Sequence, residues 1–256
     1  MTLDTADCYD SLADHYHLIF ENWEVAIQRQ AASLSSILEL KCGLPKTARI
    51  LDCACGIGTQ ALGLAALGFR VSGCDFSTHA VERARLEASR RHLDISFSVA
   101  NMLDLGCLGE SQFDAVICMD NALPHLESTE QLIQAALQIR KHLRPGGFFM
   151  ASIRDYDRLI EERPVVQGPA FYSDPGGTRI VFQIWEWIDD RRYTFHLYIT
   201  RKVRTGWETF HTTALYRTVR RSELSEALSQ GGLGNAIWLL PHESGFYQPI
   251  VLAKTD

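Results

Sequence analysis

No stretch of this chain approaches the roughly 18 to 20 consecutive apolar residues that a membrane helix needs. Its start, Met1-Thr2-Leu3-Asp4, lacks the basic-then-apolar run of a secretory signal. Together these absences set the expectation of a cytoplasmic protein with no membrane partner. Internal repeats, low-complexity tracts and flexible linkers are missing too, which removes the disordered, collagen-like and fibrous classes. Positive charge is in deficit: 25 Lys and Arg against 31 Asp and Glu leave a net charge of −6, which repels nucleic acid in the mean. The cysteines number seven, an odd count, and Cys53, Cys55, Cys74 and Cys118 fall inside apolar segments. They read as small core residues kept reduced. Cys53-x-Cys55 lacks the two further ligands zinc requires, so no metal is expected.

What is present suffices for one large core or two small ones, with 46% hydrophobic and 22% charged residues over 256 positions. Between residues 48 and 153, short apolar runs alternate with longer segments whose apolar residues recur at three and four. The runs at 49–53, 69–75, 95–99, 113–118 and 147–153 read as strands, and those at 59–67, 78–92 and 129–143 as helices. Strands separated by helices predict a doubly wound, Rossmann-like α/β layer with a parallel sheet covered on both faces. Leu143-Arg144-Pro145-Gly146-Gly147 reads as a turn that ends a helix and opens the fifth strand. Residues 11–40 read as two cap helices, with Trp23, Ile27, Leu34, Ile37 and Leu38 forming an apolar stripe on the second. Later, 179–187, 192–203 and 208–218 alternate aromatic and β-branched residues, predicting antiparallel strands turned at Asp189-Asp190 and Thr205-Gly206. A helix at 222–229 and strands at 236–240 and 247–253 complete the sheet. The expectation is a single domain over 1–256: cap 1–45, cofactor-binding core 46–154, β-rich insertion 155–218 and sheet completion 219–256.

The strongest local signal is Ile50-Leu51-Asp52-Cys53-Ala54-Cys55-Gly56-Ile57-Gly58-Thr59-Gln60, a strand running through glycines into a helix. Glycine there lets backbone approach a ligand closely. Asp75 closes the next strand, where a carboxylate can accept hydrogen bonds from both hydroxyls of an adenosine ribose. The pocket therefore favours a nucleoside-containing cofactor over a plain strand-to-helix turn. Gly56-x-Gly58-x-x-Ala61 also satisfies the dinucleotide pattern of nicotinamide and flavin enzymes, and spacing does not decide between them. Asp52 tilts the choice, because an acid just before the loop repels a pyrophosphate and welcomes a cation. S-adenosylmethionine carries positive charge on its amino group and its sulfonium.

The run Asp52-x-Ala54-Cys55-Gly56-x-Gly58-Thr59 resembles the signature of the class I S-adenosylmethionine-dependent methyltransferases, and the likeness covers about residues 50–153. It implies a seven-stranded sheet whose last strand runs antiparallel, a ribose contact at Asp75 with Phe76 beside it, and S-adenosylmethionine as cofactor. Where the family commonly closes the third strand with Asp, this chain has Asn101-Met102; Asn can accept the same hydrogen bond without charge. Met119, at the end of the fourth strand, joins the implied cofactor residues. Tyr16, Trp23 and Arg29 resemble, more loosely, the aromatic and basic residues that close over the methionine end of the cofactor.

A narrower likeness, at Asn121-Ala122-Leu123-Pro124-His125-Leu126 and Arg154-Asp155-Tyr156-Asp157, is to the glycine and sarcosine N-methyltransferases. It implies that Asn121 and Arg154 face a substrate carboxylate, which a planar guanidinium grips with two parallel hydrogen bonds. The expected reaction is N-methylation of a small carboxylate-bearing amine by in-line displacement. Another small-molecule O- or N-methyltransferase, an NAD(P)-dependent oxidoreductase and a non-catalytic S-adenosylmethionine-binding protein are the alternatives. Asp120, His125 and Tyr16 are the candidates for taking the amine's proton. Arg191, Arg192, Arg201, Lys202, Arg204 and Arg217 raise RNA as a substrate, but they alternate with apolar residues near Asp189, Asp190, Glu186 and Glu208, as on a solvated sheet face. No nucleic acid partner is expected, and the exposed aromatic strands offer a surface for a homo-oligomer.

Overall fold

The computed structural model describes residues 5–109, 112–174 and 177–255. Three of the described helices begin where a small polar side chain caps the first turn. Asn22 accepts from the Val25 amide ahead of α2 (Trp23–Leu40), Ser77 from Ala80 ahead of α4 (Thr78–Arg90), and Ser128 from Gln131 ahead of α5 (Thr129–His142). With α3 (Thr59–Ala66) these connect the strands β1 (Arg49–Asp52), β2 (Arg70–Asp75), β3 (Ser96–Val99), β4 (Phe113–Cys118) and β5 (Leu143–Ser152). Helix α6 (Tyr156–Glu162) leads into β6 (Val166–Asp174), β7 (Gly177–Trp187), β8 (Arg192–Val203) and β9 (Gly206–Arg217). The chain closes with α7 (Arg221–Gln230), β10 (Gly234–Leu239), α8 (Pro241–Ser244) and β11 (Ile250–Lys254).

Seven strands form one sheet in the order β10-β11-β5-β4-β1-β2-β3, and β6-β7-β8-β9 form a separate antiparallel sheet. Strand β11 runs antiparallel to both its neighbours, while β1 to β5 pair in parallel. Side chains alternate across the large sheet. Ile50, Ala115 and Met150 join Leu34, Leu38, Leu62 and Val81 on one side; Leu51, Val116 and Phe149 join Leu132, Ile139, Trp185 and Leu197 on the other. Each fully buried large side chain contributes about 1.5–3 kcal/mol, so the two faces together lock the sheet between helices and the small sheet. Cys53, Cys55, Cys74 and Cys118 are buried and free, as their apolar setting predicts. Among the described residues no helix is long and apolar enough to cross a membrane.

The structure moves several expected boundaries. The first cap helix is α1 (Thr5–Leu12), ahead of the expected start at Ser11, and Tyr16–Ile19 forms a 3-10 turn with no side-chain cap. Buried Arg179 on β7 pins that turn and the two residues after it, donating from Nε to the Leu18 carbonyl and from Nη2 to those of Phe20 and Glu21. The expected turn at 143–147 lies inside β5: Leu143 pairs with Phe113, and the ladder resumes at Ala115 and Phe148 after an irregularity. Strand β6 was not expected, because Gly168-Pro169 reads as a breaker. On an edge strand the missing proline donor is tolerated, and the ladder shifts register between Gln167 and Ala170 around it. The short helices α6 and α8 also carry too few turns to show a period.

Candidate active site

Strand order reverses between β1 and β4, the place in a doubly wound sheet where ligands collect beyond the carboxyl ends of the strands. Beyond β1 the chain turns through Gly56 (φ 50°) and Gly58 (φ 96°), both in the left-handed region that favours glycine. The two have different tasks. Gly58 is the N-cap of α3 and does not face the cavity. Gly56 lines a cavity of about 380 Å³, and a Cβ placed there would stand in open space, where a bound ligand would run along the loop.

Asp75, 6% exposed at the end of β2, lines the same cavity. Its Oδ2 accepts from the Gly56 amide at 2.8 Å and its Oδ1 from the Ser77 amide at 3.0 Å. Each oxygen keeps acceptor capacity for a hydroxyl. Burial raises the Asp75 pKa, and the Ser77 and Gly56 amides oppose that rise. Ala54, Phe76, Asn101, Met102, Met119, Tyr16 and His125 line the cavity too. Asn101 spends part of its capacity locally, its Oδ1 accepting from the Leu103 amide at 2.9 Å. The apolar Met102 and Phe76, the carboxylate at Asp75 and the open glycine loop fit an adenosine with a hydroxyl-bearing ribose.

Other expected cofactor residues stand elsewhere. Asp52 is fully buried and does not line this cavity, and among the described residues no side chain donates to its oxygens. Burial lifts its pKa to about 8, with the Ala54 and Ala61 amides opposing and Asp75 and Asp120 adding to the rise. A carboxyl whose pKa is raised in this way offers less fixed charge to a cation than the sequence position alone suggests. Trp23 faces neither cavity; its Nε1 donates to the Thr59 hydroxyl at 2.9 Å and the Arg91 guanidinium lies 5.2 Å from its ring centroid. Its contribution is to hold Thr59, which does line the cavity.

A second cavity, of about 540 Å³, opens between the large sheet, the N-terminal cap and the small sheet, and Arg29 and Arg154 line it. Arg154 follows β5 and donates from Nη1 to the Tyr193 hydroxyl at 2.6 Å. Its guanidinium carbon lies 4.7 Å from the Trp185 ring centroid, 5.1 Å from that of Tyr216 and 5.2 Å from that of Phe195. No carboxylate lies within 4 Å of it among the described residues. Asn121 is not beside it in the cavity. Its side chain is buried, donating from Nδ2 to the Tyr156 hydroxyl at 3.0 Å and accepting the Arg154 amide at 2.9 Å. Asn121 thus positions the Arg154 backbone; its second Nδ2 proton stays inside, because the side chain is buried and lines neither cavity.

Tyr9, Tyr16 and Asp120 line both cavities and mark their boundary. The Tyr9 hydroxyl lies 2.8 Å from His125 Nε2 and 3.0 Å from the Tyr216 hydroxyl. Burial drives the His125 pKa down to about 3, with the Arg154 charge adding to the fall, so the ring is neutral at physiological pH. Sequence reasoning missed Tyr9, Tyr216, Tyr193 and Trp185. The alternation along 179–218 shows which strand residues share a face, and the inward face was the signal available for the last three.

Residues 50–147 match the family model described as a methyltransferase domain. Glycine N-methyltransferase of Mus musculus is 32% identical over 136 residues, 48% of this chain and 46% of that protein. The chain spans about half the length of the curated relatives it matches. Among solved structures, an S-adenosylmethionine-dependent methyltransferase from Clostridium acetobutylicum ATCC 824 superposes with a TM-score of 0.77 at 17% identity, over 97% of this chain and 99% of that one. The S-adenosylmethionine-bound amino pentose methyltransferase CalS10 of Micromonospora echinaspora does so with 0.70 at 21%, over 90% and 92%. Residues 50–147 are thus similar to the methyltransferase domain, and the chain shares its fold with these solved methyltransferase structures.

Proposed function

We propose that the protein transfers a methyl group from S-adenosylmethionine to the amine of a small acceptor bearing a carboxylate. The observation that carries this reading is Arg154, a guanidinium set among Trp185, Phe195 and Tyr216 at the wall of the second cavity, with no carboxylate within 4 Å of it among the described residues. A cation in such a place is best matched by an anion brought by the ligand. Its pKa stays above the ordinary arginine value, because the surrounding tyrosines offset the burial, so the charge is permanent.

When bound, the cofactor supplies an electrophilic methyl on a sulfonium, a good leaving group. The chain's own task is therefore mainly positional, and holding nucleophile and methyl about 3–3.5 Å apart and in line is worth roughly 7–11 kcal/mol in favourable cases. Asp75 and the Gly56 loop would fix the nucleoside, and Tyr9 and Tyr16 would close the boundary through which the methyl passes. Arg154 would fix the acceptor by its carboxylate. A radiolabelled-methyl screen over amino acids, other amines, hydroxyl compounds and phenols tests the reading: carboxylate-bearing amines should be the best acceptors, and turnover confined to acceptors without an anionic group would sink it.

A second reading comes from the amides of Gln167, Gln183 and Gln248 in the same cavity, which suit a polyhydroxylated acceptor such as the amino sugar named for CalS10. Amino sugars belong in the same screen. The outward face of β6–β9, where Val166, Phe171 and Trp207 are exposed, is the surface on which a second copy would pair.

A further inference from the structure

We propose that Asp120 is a catalytic residue, the group that takes the proton from the acceptor's ammonium at the boundary of the two cavities. This rests on the reading of the acceptor as an amine. Three side chains reach both cavities, Tyr9, Tyr16 and Asp120, and Asp120 alone among them is a carboxylate. An amine bound by Arg154 in one cavity must meet the methyl donor of the other at that boundary, so its nitrogen passes this carboxylate.

The backbone is bent to place it there. Asp120 (φ 57°) and Asn121 (φ 68°) are successive left-handed residues, neither of them glycine. Asp and Asn visit this region singly with tolerable cost; two in a row persist only where the surroundings hold them. Here the Asp120 amide donates to the Ser152 hydroxyl at 2.8 Å and the Asn121 amide to the Ser152 carbonyl at 3.1 Å. The carboxylate is oriented by neutral donors, Gln60 Nε2 at 2.8 Å on Oδ2 and the Tyr247 hydroxyl at 2.5 Å on Oδ1. Among the described residues no cationic side chain lies within 4 Å of it, and the Arg154 guanidinium acts on it only from a greater distance, which leaves room beside the carboxylate for an ammonium.

The charged and titratable groups facing it are Tyr247, Tyr16, Arg154 and Asp52. Burial raises the Asp120 pKa, and the bonds from Tyr247 and Gln60 and the Arg154 charge oppose that. The other two acceptors considered from the sequence are unsuited. His125 holds a proton only below about pH 3, and burial keeps the Tyr16 phenol protonated far into the alkaline range. In the proposed step an N–H bond of the acceptor's ammonium breaks and its proton bonds to a carboxylate oxygen of Asp120. The freed nitrogen pair then forms the N–CH₃ bond while the methyl–sulfur bond breaks, its electron pair remaining on sulfur. Products are the methylated ammonium and the neutral thioether, and Asp120 returns its proton to water.

The test compares wild type, Asp120→Asn and Tyr247→Phe, using the best amine from the methyl screen and measuring kcat against pH and S-adenosylmethionine affinity by calorimetry. Asp120→Asn should lower kcat by about 10²–10⁴ at neutral pH, leave cofactor affinity within about twofold, and regain rate about tenfold per pH unit up to the acceptor's own pKa. Tyr247→Phe removes a hydrogen bond that favours the ionised carboxylate, so the acid limb of kcat should move to higher pH. A wild-type rate and profile in Asp120→Asn overturns the assignment, and so does a tenfold loss of cofactor affinity, which would place the carboxylate on the donor's amino group. If Asp120→Asn fails to fold, an unmoved acid limb in Tyr247→Phe overturns it instead. A wild-type enzyme that methylates hydroxyls but no amine removes the proposed function itself, and the role of Asp120 with it; loss of the Asp120 effects alone leaves that function standing.

Discussion

Asp75 Oδ2 accepts the Gly56 amide proton at 2.8 Å, so the carboxylate at the end of β2 is clamped to the loop that follows β1. The carboxylate expected to bind a ribose is therefore also one that holds the glycine loop in shape. Removing it therefore acts twice. Asp75→Ala should weaken S-adenosylmethionine binding by about 10- to 150-fold, the value of about 1.5–3 kcal/mol for hydrogen bonds to a charged group. Titration calorimetry reads this directly, and unchanged affinity would take Asp75 out of the cofactor site.

Arg154→Ala should raise KM for a carboxylate-bearing acceptor by the equivalent of about 2–4 kcal/mol while leaving cofactor affinity nearly intact. Arg154→Lys should recover only part of the loss, because an ammonium cannot reproduce the flat guanidinium that lies among Trp185, Phe195 and Tyr216. Normal steady-state kinetics in Arg154→Ala would end the carboxylate reading.

Asn121→Ala should act on stability more than on acceptor contact. It leaves the Tyr156 hydroxyl and the Arg154 amide without their partner and puts alanine at φ 68°. Together these cost about 2–4 kcal/mol, visible as a lowered urea midpoint. If the variant melts like wild type but loses acceptor binding, Asn121 contacts the substrate after all.

Asp52 makes stability depend on pH. Its pKa is raised from 3.8 to about 8 on folding, so between those values the native state holds a proton that the unfolded chain has released. The stability linked to this group is complete below about pH 4 and is lost progressively as pH climbs to about 8, with a limiting slope of about 1.4 kcal/mol per pH unit. Asp52→Asn keeps the shape and removes the titration. The variant should gain on wild type in denaturant melts as pH rises from 5 to 8; parallel curves would show that Asp52 is ionised in the fold.

Much of the large sheet was legible in the sequence because burial on both faces leaves a near-continuous apolar run in each central strand. Runs such as 113–118 have that form, and β4 has those bounds. The ends of the chain's elements were less legible where the side-chain pattern was short or interrupted, as at Gly168-Pro169 in β6 and in the seven residues of α6. In the candidate site, Gly56 and Asp75 followed from one loop and one strand end, and Phe76 and Met102 came with the resemblance. The setting of Arg154 did not, since Tyr193 and Tyr216 belong to strands paired with each other far downstream in the chain.

By itself the sequence determined the alternation of β1 to β5 with their helices, the glycine loop and the acid one strand later, because each is written in a local period or a fixed spacing. The tertiary structure alone decided which acid meets the ligand space: Asp52 is enclosed and largely protonated, while Asp120 stands at the boundary of both cavities. It also buried Asn121 against the Tyr156 hydroxyl and the Arg154 amide and set Arg154 among aromatic rings. The physical reason is that burial follows from short-range pattern, whereas charge state and reach depend on groups brought together from distant parts of the chain.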